Sequence, residues 1–200
     1  MRQDHQTAAQ FIRKVSGSST LDATLERAVK VLAKQGIPHL VCGVYAVQEY
    51  GYARYTHDID IIVPDVQKAR DALMYSDLFR KNKGSSMTVT DVENHVEIDF
   101  LPGGKSLDKG AIAVSLPMPA VVSATPQLIT LEGLITAKIG AGRTQDTADV
   151  VALIKANGLP SDLSLPSEVL IAYQERWTQA QHEKQSALDT SEDSAFFNNP

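Results

Sequence analysis

Residues 39–65 read HLVCGVYAVQEYGYARYTHDIDIIVPD, and this stretch limits the fold more tightly than any other. HLVC is a short apolar run of strand type, and Gly43 breaks it. GVYAVQEYGY reads as a helix opening directly from Gly43. DIDIIV is a second strand, stopped by Pro64, which has no backbone N–H to donate to a ladder. Side chains alternate along a strand, so Asp58 and Asp60 share one face while Ile59 and Ile61 share the other. If the acidic strand returns beside the first one, both carboxylates lie near Gly43. A glycine at a strand-to-helix turn lets backbone N–H groups face a phosphate. Two like charges on one face repel, and water or a cation must offset that. A hard divalent ion takes oxygen ligands of this kind, from one or two carboxylates plus phosphates.

The neighbouring segments supply more strands and more acids. STLDATLERAVKVLAKQG is an amphipathic helix with Leu21, Leu25, Ala28, Val29 and Leu32 at helical spacing, Thr20 as its cap and Gly36 as its end. VQKARDALMYSD is helical, with Val66, Ala69 and Leu73 on one face. SMTVTDV and HVEIDFL alternate like paired strands, and the second places Asp99 and Glu97 on one face. GAIAVSLP reads as a further strand. After LPMPAVVSATP the character becomes helical: QLITLEGLITAKIGA with Pro126 in its first turn, TQDTADVVALIKANG ending at Gly158, and LPSEVLIAYQERWTQAQHEKQSAL. The expected organisation is a flexible segment over 1–19, an α/β core over 20–122, a helical region over 123–188 and a disordered tail over 189–200. Strands that come first with helices and later as a meander predict an α+β, mixed-sheet fold rather than a doubly wound one.

Composition narrows the class. A net charge of -5 argues against a wholesale nucleic-acid coat but leaves room for a local basic patch. The single cysteine, Cys42, excludes an intrachain disulfide framework and fits a reducing compartment. MRQDHQTAAQFIRKV has no apolar core of signal-peptide length, and no apolar run reaches a membrane span. The expectation is a cytoplasmic protein without a membrane partner.

From Leu40 to Val63 the chain resembles the core motif of the DNA polymerase beta-like nucleotidyltransferases: a glycine turn, about a dozen residues, then acid-x-acid on a strand. GVYAVQEYGYARYTHDIDIIV is most similar to the AbiEii-type toxin and minimal nucleotidyltransferase group, on Ala46, Gly51, Arg54, Thr56, Asp58 and Asp60. LEGLITAKIGAGRTQDTADVVAL is similar to the same group, whose helix lysine and Asp-x-x-Asp pair fall here on Lys138, Asp146 and Asp149. The resemblance implies transfer of a nucleoside monophosphate from an NTP to an RNA or protein hydroxyl, with tRNA as one acceptor. It implies Mg2+ or Mn2+ held by Asp58, Asp60 and Asp99, with Asp99 orienting or deprotonating the hydroxyl. It also implies Lys138 as a point cation for phosphate, Asp146 as a site acid, and Gly43, Val44, Arg54 and Thr56 as substrate contacts. A toxin-like role would bring an antitoxin partner. The chain departs from the pattern at Val44, where the group has Gly or Ser. Valine offers no hydroxyl and resists unusual backbone angles. That residue motivates the alternative, a catalytically degenerate nucleotide- or protein-binding module. A small-molecule nucleotidyltransferase is a third option, for which the helical region is short.

Other signals are weaker. DFLPGGKS ends like a phosphate loop but lacks its first glycine and following helix, so it reads as a turn carrying Lys105. FRKNKG, Arg80 to Lys83, reads as a solvated turn or part of an RNA footprint. His57 reads as a surface residue, His39 as structural, and the histidines show no zinc spacing. Tyr173 and Trp177 read as helix-packing residues.

Overall fold

The structure, a computed structural model, describes residues 18–82, 84–106 and 112–196. The helix expected around Ala8 to Val15 lies outside the described residues, as do 1–17 of the flexible segment and the last four residues of the tail. In chain order the elements are helix α1 (Ser18–Lys34), strand β1 (Leu40–Cys42), helix α2 (Gly43–Glu49), strand β2 (Asp58–Val63), helix α3 (Val66–Met74), strands β3 (Phe79–Lys81), β4 (Thr88–Asp91) and β5 (Glu97–Pro102), and helices α4 (Leu131–Ala141), α5 (Thr144–Asn157) and α6 (Ser167–Phe196). The fold is α+β around one mixed sheet. Its strand order is β1-β2-β5-β4-β3, antiparallel except for the β2–β5 pair.

The parallel β2–β5 pair aligns Asp58 with Glu97 and Asp60 with Asp99. Parallel strands require a long crossover, here supplied by α3 and the β3–β4 hairpin. Alternation then gives the sheet two different faces. One carries Ile59, Ile61, Val63, Val89, Ile98 and Phe100, packed with Leu25, Val29 and Leu32 of α1 and Leu73 of α3 into a closed apolar core. The other carries the carboxylates at one end and Ile62 and Leu101 at the other. Those apolar residues join a second core with Leu134, Ile135, Val150, Ile154 and Tyr173 of α4, α5 and α6. Helix α2 bridges the two cores, sending Tyr45 into the first and Ala46 and Val47 into the second.

Several elements differ from the sequence expectation. Helix α1 already runs from Ser18, so Thr20 lies inside it rather than capping it. Helix α4 begins at Leu131, with the Thr130 side chain accepting from Gly133 N, not in a first turn at Pro126. Gln127 to Ile129 instead flank the sheet edge: Val41 N donates to Gln127 O at 2.7 Å and Ile129 N donates to Val41 O at 2.9 Å. Backbone groups at an edge need partners, and this pairing outweighs the helical propensity of the segment. The strand expected at GAIAVSLP reduces, among the described residues, to one bridge between Ser106 and Ser115, although Val114 and Leu116 are buried. FRK, read as part of a solvated turn, is strand β3, because Phe79 buries itself against the first core. Helix α6 runs past residue 189 to Phe196. Among the described residues, no helix is long and apolar enough to cross a membrane.

Candidate active site

The turn at residue 43 is where sequence and geometry meet most closely. Cys42 is still extended (φ -135°) and Gly43 swings to φ +63°, which starts α2 at once. Only glycine takes that angle at no steric cost. The second reason for glycine is space. A Cβ at Gly43 would sit 1.8 Å from Asp60 Oδ2. The strained angle therefore falls on Gly43, and Val44 is not among the positive-φ residues. The backbone objection to valine at position 44 disappears, and only its missing hydroxyl remains.

Cys42 pairs with Asp60 across β1–β2, and Asp60 pairs with Asp99 across β2–β5. Asp58, Asp60 and Asp99 thus share one sheet face on adjacent strands. Thr56 Oγ1 donates a short hydrogen bond to Asp58 Oδ1, and Thr88 Oγ1 on β4 donates one to Asp99 Oδ1. Among the described residues Asp60 has no such hydroxyl donor. Burial, followed by the charges of Asp58 and Asp99, pushes its carboxyl up to about 7, against the weaker opposing pull of Lys138 and Arg143. A carboxyl held that high by burial and by like charges is a site that favours added positive charge. Among the described residues no three His, Cys, Asp or Glu side chains close into a ready-made metal cage. The acids expected as ligands are neighbours rather than a finished coordination sphere. The donor set nonetheless fits magnesium or manganese, being all oxygen. Magnesium characteristically binds through one or two carboxylates and completes its shell with waters and substrate phosphates.

A second charged cluster adjoins the first. Lys138, on α4, is 6% exposed and ion-paired with Asp146 Oδ1 at 3.0 Å and Asp149 Oδ2 at 2.7 Å. Arg54, in the loop before β2, reaches Asp149 Oδ2 at 2.9 Å. Arg143, just before α5, holds Asp146 through Nε at 2.6 Å and Nη2 at 3.2 Å. Burial pushes the Asp146 carboxyl up, but the hydrogen bonds and charges of Arg143 and Lys138 outweigh it and hold it below its ordinary value. The carbonyl of Arg54 accepts a short hydrogen bond from Gln48 Nε2 of α2. This network ties the loop that delivers Asp58 to helices α2, α4 and α5.

The structure therefore brings together Gly43, Asp58, Asp60 and Asp99, and sets Lys138, Asp146 and Arg54 beside them as one ion-paired group. Lys138, which the resemblance implies as a point cation for phosphate, is paired here with two carboxylates. Arg54 is likewise committed to Asp149, and Thr56 serves Asp58. Thr88 and Arg143 are neighbours of the site that sequence reasoning passed over. Thr88 had a signal, since antiparallel pairing of the two strands places it opposite Asp99. His39 is buried and contacts Ile37 O through Nδ1, His57 is exposed against Tyr55, and Cys42 is buried with its thiol pushed well up by desolvation and by Asp60.

No protein-family model matches the chain, and no curated protein matches it. Among solved structures, two of the similar ones are of the antibiotic-resistance factor ANT(2'')-Ia. Its solution structure is 14% identical with a TM-score of 0.36, covering 88% of this chain and 100% of that one. Its crystal structure in complex with adenylyl-2''-tobramycin is 14% identical with a TM-score of 0.39, covering 88% of this chain and 99% of that one. A likeness this slight carries no inference about chemistry.

Proposed function

We propose that the chain is a metal-dependent nucleotidyltransferase that moves a nucleoside monophosphate from an NTP to a hydroxyl on RNA or protein. The observation that carries this reading is the Asp60 position: a carboxylate that shares its sheet face with Asp58 and Asp99, packed on a positive-φ glycine turn, and raised to about 7 by burial and by those two charges. Residues that only stabilised the fold would not be arranged to repel. Asp58, Asp60 and Asp99 are the groups that would hold Mg2+ or Mn2+, and the ion would supply charge neutralisation for the triphosphate and its leaving group. Asp99, steadied by Thr88, orients the acceptor hydroxyl and takes its proton. The hydroxyl oxygen forms a bond to the α-phosphorus as the bond to the β-phosphate bridge breaks, and pyrophosphate leaves. Lys138, Asp146, Asp149 and Arg54 fix the approach to β2, so positioning and electrostatics are the chain's main contribution.

The second reading, a nucleotide- or protein-binding module without activity, is favoured by two features. The Asp60 carboxylate occupies the space over Gly43, and Lys138 is neutralised internally. One experiment separates the readings. Thermal unfolding is followed with each NTP, with and without magnesium or manganese, for the wild type and Asp58→Asn/Asp60→Asn. A ligand at about a hundred times its dissociation constant adds roughly 2.7 kcal/mol of stability. A metal-dependent shift lost in the variant, followed by incorporation of α-labelled nucleotide into RNA or protein, supports the enzyme. A metal-independent shift that persists in the variant supports the module. Growth arrest on expression, abolished by Asp58→Asn, would extend the reading to a toxin with an antitoxin partner.

A further inference from the structure

Resting on the nucleotidyltransferase reading, we infer that Arg143 grips the polyphosphate of the substrate, in place of the buried Lys138. Three cations border the carboxylates, and their surroundings differ. The Lys138 ammonium is sealed at 6% exposure between Asp146 and Asp149, so drawing it to a phosphate would strip two buried acids. Arg54 is 28% exposed and spends Nη1 on Asp149. Arg143 is 77% exposed, yet its head group is not loose. Nε and Nη2 are both fastened to Asp146, a carboxylate that is itself 2% exposed and anchored by Lys138. Nη1 has no protein partner among the described residues. A guanidinium presents its donors as a planar fork, so one edge can be held by a carboxylate while the other meets a phosphate. Pinning also removes much of the entropy cost that makes an exposed arginine a weak ligand.

The guanidinium is held on Asp146, in the ion-paired group that also contains Lys138. Arg143 and Asp60 are within electrostatic range of each other, each among the charges that shift the other. An ordinary surface ion pair three residues apart in sequence would need no buried carboxylate behind it and no neighbouring acid cluster. A metal-bound triphosphate lying over Asp58, Asp60 and Asp99 would carry residual negative charge outward, where Arg143 is the exposed cation of the cluster.

The test measures binding rather than turnover. Arg143→Ala, Arg143→Lys and Lys138→Met are each titrated, by thermal shift and calorimetry, with magnesium–NTP and with magnesium–tripolyphosphate, which keeps the phosphates and drops the base. The expected result is an Arg143→Ala protein that melts below the wild type but above Lys138→Met, since Asp146 loses two hydrogen bonds yet keeps Lys138. It should bind both probes about tenfold or more weakly, as loss of a charge-assisted contact predicts. Arg143→Lys should recover part of the loss, a point charge replacing a fork. Lys138→Met should melt well below the wild type. Wild-type affinity for both probes in Arg143→Ala would overturn the inference. If the wild type shows a nucleotide shift and Arg143→Ala keeps it, this inference alone fails. If the wild type shows no metal-dependent shift with any nucleotide, the nucleotidyltransferase reading fails and takes the inference with it.

Discussion

The two charged clusters differ in how their acids are satisfied. Asp146 and Asp149 are buried, but Lys138, Arg54 and Arg143 converge on them, so positive charge outnumbers negative by one. Asp58, Asp60 and Asp99 share one sheet face with threonine hydroxyls for company and, among the described residues, no cation in ion-pair range. A buried acid elsewhere makes the difference plainer. Asp91, on the opposite face, is fully buried yet held below its ordinary carboxyl value, because the backbone and Arg27 hydrogen bonds it accepts outweigh its burial. The fold can plainly satisfy a buried aspartate when only stability is at stake. Leaving Asp60 beside two like charges with no cation in ion-pair range costs stability, and such a cost is expected where a ligand completes the charge.

The difference can be probed from either side, and the largest effect should come from the closed cluster. Lys138→Met leaves Asp146 and Asp149 short of a partner and should cost about 3–5 kcal/mol, read by urea unfolding. A loss below about 1 kcal/mol would mean that the cluster is solvated and not a structural unit. Next comes Gly43→Ala. Its Cβ meets the Asp60 carboxylate and the residue must hold a positive φ, so a loss of about 1–3 kcal/mol is expected. Asp60→Ala in the same chain should return part of it, which a double-mutant cycle measures.

The open cluster should respond with the opposite sign. In chelator, Asp60→Asn removes the repulsion and should stabilise the protein by about 1 kcal/mol, while abolishing the metal-dependent nucleotide shift. Destabilisation would show that the trio is already neutralised. The pH dependence follows from the same group. The native Asp60 carboxyl is at about 7, raised from 3.8, so the stability it contributes is fully present below about pH 4 and is lost as pH rises through 7. Asp146 and Asp91 are shifted downward and act only on the acid side, where their contribution is lost as pH falls below the ordinary carboxyl range. Between about pH 5 and 8 Asp60 pulls the metal-free melting temperature down as pH rises, while His39, held below its ordinary value by burial, pulls it up at the lower end, so Asp60→Asn should raise the melting temperature more at pH 8 than at pH 5. The smallest effect is expected at Arg80. It is exposed on the edge strand β3, and Arg80→Gln should stay within about 0.5 kcal/mol of the wild type.

Local pattern makes part of this architecture legible in the amino-acid sequence. Helix α1, the strand–glycine–helix unit at Leu40 to Glu49 and the acidic strand β2 follow from period and punctuation, because each buries a stripe that its own residues define. Asp58 and Asp60 can be placed on one face for the same reason. Gln127 to Ile129 cannot be read this way, because their helical propensity loses to the unpaired edge of β1, and that edge exists only once the sheet is assembled. Phe79 makes a strand of FRK through a tertiary contact with the first core, which is invisible in a three-residue window. The acids and basic residues near the site are recognisable as residues, but not their pairings.

The mixed α+β class, the glycine turn and the facing of the acid pair are therefore properties of the chain's own order, since they depend on alternation and backbone freedom within a few residues. Which charges are spent and which are left over is a property of the closed fold alone. Lys138 meets Asp146 and Asp149 from 8 and 11 residues away, and Arg54 meets Asp149 from 95. Electrostatic satisfaction depends on distance and burial in space. Chain order specifies neither until the sheet and its helices have closed.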